Sequence, residues 1–83
     1  MYESYKQHFV IIEFNSAVGR RRAIAWFADC NATHVQLEAP STREPYTVLV
    51  SNIIEINLMS ENKIDWSKVH PSLRRPEQKQ EGK

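Results

Sequence analysis

A second cysteine is the first thing this sequence lacks. Cys30 stands alone, so no intramolecular disulfide can form and no Cys-rich zinc cage can be assembled. A single thiol fits a reducing cytosol. Long apolar runs are missing as well. A helix that crosses a bilayer needs about 20 consecutive apolar residues, and no run here approaches that length. The N-terminal stretch "MYESYKQH" has neither the basic start nor the apolar middle of a signal peptide. These absences lead to the expectation of a cytoplasmic protein with no membrane partner. Internal repeats are absent, and so is any spaced motif for catalysis, metal binding or nucleotide binding. No pair of titratable groups shares an apolar setting, so the chain reads as non-enzymatic and without a cofactor.

What remains is one small domain. The chain has 83 residues, of which 41% are hydrophobic and 25% charged, a composition typical of a globular domain. A chain with near 60 ordered residues buries only about 60% of its unfolded surface, so subunit contacts are an expected source of further stability. The net charge of +1 hides a segregation along the chain. Residues 1–19 carry −1, Arg20, Arg21 and Arg22 add +3, residues 23–60 carry −3, and residues 61–83 carry +2. A nucleic-acid site would therefore be local rather than spread over a basic face.

Residue patterning points to strands. "HFVIIEFN" (8–15) is rich in β-branched and aromatic residues and runs into "NSAVGRR", where Asn15, Ser16 and Gly19 are turn chemistry. "RAIAWFAD" (22–29) is a second apolar segment. Asn31 interrupts before "HVQLEAP" (34–40), which alternates: Val35, Leu37 and Ala39 on one face, His34, Gln36 and Glu38 on the other. A polar loop, "PSTREP" (40–45), is bounded by two prolines that cannot donate to a ladder. Met1 to His8, with Tyr2 and Tyr5 at helical spacing, is compatible with a short N-terminal helix.

The most apolar stretch is "YTVLVSNIIEINL" (46–58). As one strand it would be about twice the usual length, and Ser51 and Asn52 favour turns over strands. Two strands, 46–50 and 53–58, joined by a very tight turn are expected; the alternative is one long bent strand with a bulge at Ser51–Asn52. Beyond residue 60 the apolar residues Ile64, Trp66, Val69 and Leu73 are scattered, and Pro71 and Pro76 interrupt. Residues 60–73 are expected to lie on the domain or on a neighbouring subunit through Trp66. Residues 74–83 are expected to be disordered. The domain reading is a barrel over 1–60 and a C-terminal extension over 61–83.

Five short strands after a brief helix suggest a small, strongly bent barrel. Over residues 2–58 the pattern resembles the Sm-like family, including its bacterial Hfq branch. "VGRRRAIAWFADCNATHVQLEA" is similar to that family's first motif, with Gly19 in the turn, Phe27 and Asp29 closing one strand, and Val35 and Leu37 in the next. "VLVSNIIEI" has the length of its second motif, where Hfq joins the last two strands. The family's basic residue and its Gly or His neighbour fall here on Val50 and Ser51. The resemblance implies a mainly β, five-stranded SH3-like barrel, a homo-oligomeric ring and single-stranded RNA as ligand. Over "VQLEAPSTREPYTVLVSNIIEI" the chain also resembles the Rof-like antiterminators that bind the Rho protein, which implies a protein partner in the transcription machinery instead. A structural assembly role is a third reading.

Candidate site residues follow from the same stretch. Arg20, Arg21 and Arg22 can each offer forked hydrogen bonds to phosphate and can stack on a base; the alternative is a solvated turn with one arginine paired to a carboxylate such as Glu38 or Glu55. Asp29 takes the family's Asp position, Asn31 or His34 its base-contacting position, and Asn52 and Thr33 are further candidate base readers. Such amides in turns also bond their own backbone. Cys30 and His34 are four residues apart, but a lone CxxxH makes neither a closed metal site nor a nucleophile with an orienting third group. Trp26 and Phe27, as strand neighbours, face opposite sides: one fills the core and the other meets solvent or a partner.

Overall fold

The structure, a computed structural model, describes residues 2–74. Five strands follow one another: β1 (His8–Ser16), β2 (Gly19–Cys30), β3 (His34–Glu38), β4 (Pro45–Leu49) and β5 (Ile53–Leu58). They form one antiparallel sheet in the order β4-β3-β2-β1-β5. Pro45 is the first residue of an edge strand, a place that tolerates its missing N–H. The long apolar stretch does break in two. Val50–Asn52 forms a three-residue 3-10 turn between β4 and β5, flanked by Leu49 and Ile53 in extended conformation.

Alternation sorts the side chains between two faces. Val10 and Ile12 of β1, Ala25 and Phe27 of β2, Val35 and Leu37 of β3 and Val48 of β4 make the main core. Five of these seven side chains, Val10, Ile12, Phe27, Val35 and Leu37, are among the largest in the chain with no exposed surface. On the outer face, Phe9 and its cross-strand partner Trp26 lie in edge-to-face contact at 4.8 Å between ring centroids. The chain covers this pair itself. Successive 3-10 turns at Glu61–Lys63, Trp66–Lys68 and Pro71–Leu73 bring Ile64, Trp66, Val69 and Leu73 over Phe9. His70 N donates to Pro40 O at 2.8 Å, and Arg43 bridges Glu38 (2.8 Å) and Ser72 Oγ (3.0 Å). Trp66 thus packs within its own chain.

Two expectations change, and a third point is made definite. The N-terminal helix is only a 3-10 turn, Glu3–Tyr5, because Gln7 adopts φ +64 immediately after it and turns the chain into β1. The sheet is not a closed barrel: β5 pairs only with β1, and no ladder joins β4 to β5 among the described residues. The 3-10 turn carries the chain from one edge of the sheet to the opposite edge without pairing the two. The arginines follow the turn rather than form it. The β1–β2 hairpin needs only Ala17 and Val18, closed by Gly19 at φ +111, so Arg20, Arg21 and Arg22 already belong to β2 and pair with Asn15, Phe14 and Glu13. The expected disorder of 74–83 meets the described residues only at Arg74, whose Nε donates to Val69 O at 2.9 Å. Residues 75–83 lie outside them.

Candidate functional site

A bulge in β2 shapes the cleft that gathers several of the expected site residues. Trp26 and Phe27 pair with Glu38 and Leu37, but Asp29, not Ala28, pairs with Gln36. The extra residue re-aims the strand end, so Asp29 shares the outer face with Gln36 and His34. Gln7 holds the bulge from outside: its backbone N–H donates to Phe27 O at 2.7 Å and its side-chain amide to Ala28 O at 3.0 Å. Asp29, Cys30, Asn31, His34, Gln36 and Thr47 line an open cavity of about 310 Å³. Three residues expected to form one site, Asp29, Asn31 and His34, are therefore brought together.

Each has a defined local role. Asn31 Oδ1 accepts from Thr33 N and His34 N, both at 2.9 Å, and from Thr33 Oγ1 at 3.2 Å. This closes the β2–β3 turn through the amide oxygen and leaves the amide nitrogen as a spare donor. Thr33 Oγ1 also meets His34 Nδ1 at 2.8 Å. A hydroxyl has one proton; when it goes to Asn31, His34 Nδ1–H is the donor in the second bond and Nε2 is left as an acceptor. Asp29 accepts from Cys30 N at 2.8 Å and meets Lys6 Nζ at 3.3 Å. The backbone hydrogen bond first, and Lys6 second, hold its carboxyl below the usual range. Cys30 packs against the main core. Among the described residues no group of three His, Cys, Asp or Glu could hold a metal ion, and none of their helices is long and apolar enough to cross a membrane.

The arrangement offers hydrogen bonds of both senses around one fixed negative charge. Donors such as the Asn31 and Gln36 amides stand beside the Asp29 carboxylate, a pattern that matches the edge of a base better than a phosphate. Asn52 lies on the β4–β5 turn and does not line this cavity. A neighbouring hollow of about 390 Å³, between Tyr2, Glu3, Asn31, Ala32 and Val50, shares only Asn31 with it.

The three arginines are elsewhere and are divided. Arg22 and Asp29 are seven residues apart on β2, up to about 23 Å along an extended strand. Arg20 and Arg22 share the outer face with Glu13; Arg20 Nε lies 3.5 Å from Glu13 Oε2, and Arg22 is the cross-strand partner of Glu13. Arg21 points to the other side, where its charge acts on Tyr46, whose hydroxyl burial pushes up in pKa. The ion pair forms with Glu13, not with Glu38 or Glu55. Gln36 and Thr47 were missed as cleft residues. Gln36 was findable, since it alternates with His34 on the polar face of "HVQLE"; Thr47 needs the β3–β4 register.

Compared with family models, curated proteins and solved structures, the chain matches none of them.

Proposed function

We propose that this chain is a non-catalytic, Sm-like protein that assembles into a homo-oligomer by pairing β4 of one copy with β5 of the next, and that its cleft reads the bases of single-stranded RNA. One observation carries the reading: among the described residues the two edges of the sheet are both unpaired, and both expose apolar side chains. Leu49 on β4 and Ile54 and Leu58 on β5 are 43%, 43% and 55% exposed. Neither edge carries a lysine, and β4 has no charged residue at all. Open edges of this kind invite strand addition, and a closed ring of identical contacts removes them. In such a ring every copy presents Asp29, Asn31, His34 and Gln36 in the same orientation, and weak base contacts add up across copies.

The test is fluorescence anisotropy with short U-rich and A-rich RNAs at low salt. Binding to one of them, weakened by Gln36→Ala or His34→Ala, is expected; no binding to either overturns the RNA part.

A second reading has its own support. Among the described residues that line the cleft the one charged side chain is Asp29, its near cation Lys6 is paired to it, and the arginines do not converge on it, so phosphate contacts add little there. A protein-binding regulator on the same fold accounts for that. It predicts a monomer or dimer indifferent to RNA that is recovered with one dominant protein of the transcription machinery.

A further inference from the structure

Away from the cleft and from the two sheet edges, the described residues leave a further apolar surface uncovered. The C-terminal segment roofs Phe9 and Trp26 but stops short of the next cross-strand pair, Ile11 and Ile24, and Ile24 remains 48% exposed. Between them runs an open groove of about 380 Å³, with Phe9, Ile24, Pro40, Met59, Ile64 and Val69 among its walls. That size falls within the roughly 300–1,000 Å³ of small-molecule sites. Its polar lining is Ser41, Lys63, Lys68 and Asp65, which leaves one net positive charge. Asp65 Oδ1 is taken by Ser67 N (3.2 Å) and Ser67 Oγ (2.6 Å), and Oδ2 lies 3.9 Å from Lys68 Nζ. Lys63 makes no ion pair with any described residue.

The chain itself offers poor occupants. Residues 75–83, "RPEQKQEGK", contain no apolar side chain larger than Pro76 to fill the groove. A second copy could offer Val18, 83% exposed at the hairpin tip, but Val18 comes with Arg20, Arg21 and Arg22 close behind and would bring like charge to the lysines. Both objections fall away for a ligand with an apolar body and a negative head.

We propose that the groove between the outer face of β1–β2 and the C-terminal segment binds a free amphiphilic carboxylate, its chain over Ile24, Phe9 and Ile64 and its head at Lys63 and Lys68. The site is independent of the RNA cleft and of assembly, since it uses none of their residues.

The probes are octanoate, decanoate and octan-1-ol, each titrated below its micelle concentration into the full chain and followed by amide chemical shifts. Saturable shifts centred on Ile24, Met59 and Ile64 are expected, with affinity rising about fourfold per added methylene. Octanoate should bind several-fold more tightly than octan-1-ol at low salt, and K63Q should reduce that preference. I24D, at an exposed position, should keep the wild-type circular dichroism and lose binding of both. The proposal is overturned by shifts that do not saturate or that centre elsewhere, by equal binding of octanoate and octan-1-ol, by an I24D variant that binds as tightly as wild type, or by binding only to phosphatidylglycerol vesicles.

Discussion

Trp66 meets Phe9 edge to face, with ring centroids 5.6 Å apart and planes at 83°. The contact joins a segment of irregular 3-10 turns to the outer face of a sheet whose main core lies on the other side. The C-terminal segment therefore contributes a second small core. Trp66→Ala should cost about 2–3 kcal/mol, below the range for a fully buried tryptophan because Trp66 is half-buried. Urea unfolding measures it; a change under about 0.5 kcal/mol would mean that the segment does not hold to the sheet.

Phe27 is the largest side chain with no exposed surface. Phe27→Ala should lose about 3–5 kcal/mol, a large share of the stability available to so small a domain. Phe27→Leu should lose much less. Equal unfolding midpoints for the two variants would contradict the assigned core.

Asn31→Ala should destabilise by about 1–2 kcal/mol, because two backbone N–H groups lose their acceptor. Asn31→Asp keeps that acceptor and should stay close to wild type in thermal melting. RNA binding separates wild type from this second variant, since a carboxylate lacks the amide donor of Asn31, which lines the cleft.

Asp29 should titrate below its ordinary value of 3.8. Its folded pKa is depressed, so the stabilisation it contributes is present above the unfolded value and fades as pH falls through the folded one. Lys6→Ala should move the midpoint only part of the way back, because the hydrogen bond from Cys30 N is the larger cause. Carboxyl-carbon NMR between about pH 2 and 6, values bracketing the usual carboxylate range, reads both; an unshifted midpoint in the wild type would remove the proposed contact.

Arg21 faces away from Arg20 and Arg22, so single alanine variants should not behave alike. Arg20→Ala should change stability by less than about 1 kcal/mol, since its pair with Glu13 is largely solvated. If RNA binds through the Asp29 cleft, all three single variants should bind it within about threefold of wild type at moderate salt. A tenfold loss at all three would make the arginine run, rather than the cleft, the nucleic-acid site.

Much of this fold was legible because period-two alternation is a local signal. "HVQLE" declares its two faces, and Ser51–Asn52 marks the break before Ile53. The β2 bulge was not legible, since one extra residue at Ala28 leaves "WFAD" looking like any apolar strand. Where the turn ends among the arginines was not legible, because "NSAVGRR" reads as a long turn, whereas Gly19 closes the hairpin after two residues. The C-terminal segment has no periodicity to read, because each of its 3-10 turns is only three residues long. Of the candidate site, the grouping of Asp29, Asn31 and His34 followed from their nearness in the chain. The absence of Asn52 and of the arginines from that cleft depends on tertiary placement.

The central claim is that the open edges of β4 and β5 pair between copies, and the most direct measurement is molar mass in solution by light scattering. The account predicts a mass of about five to seven chains of 9.7 kDa each, reduced to a monomer when Ile54→Lys places a charge on the β5 edge. A clean monomer for the wild-type chain across micromolar concentrations would contradict it.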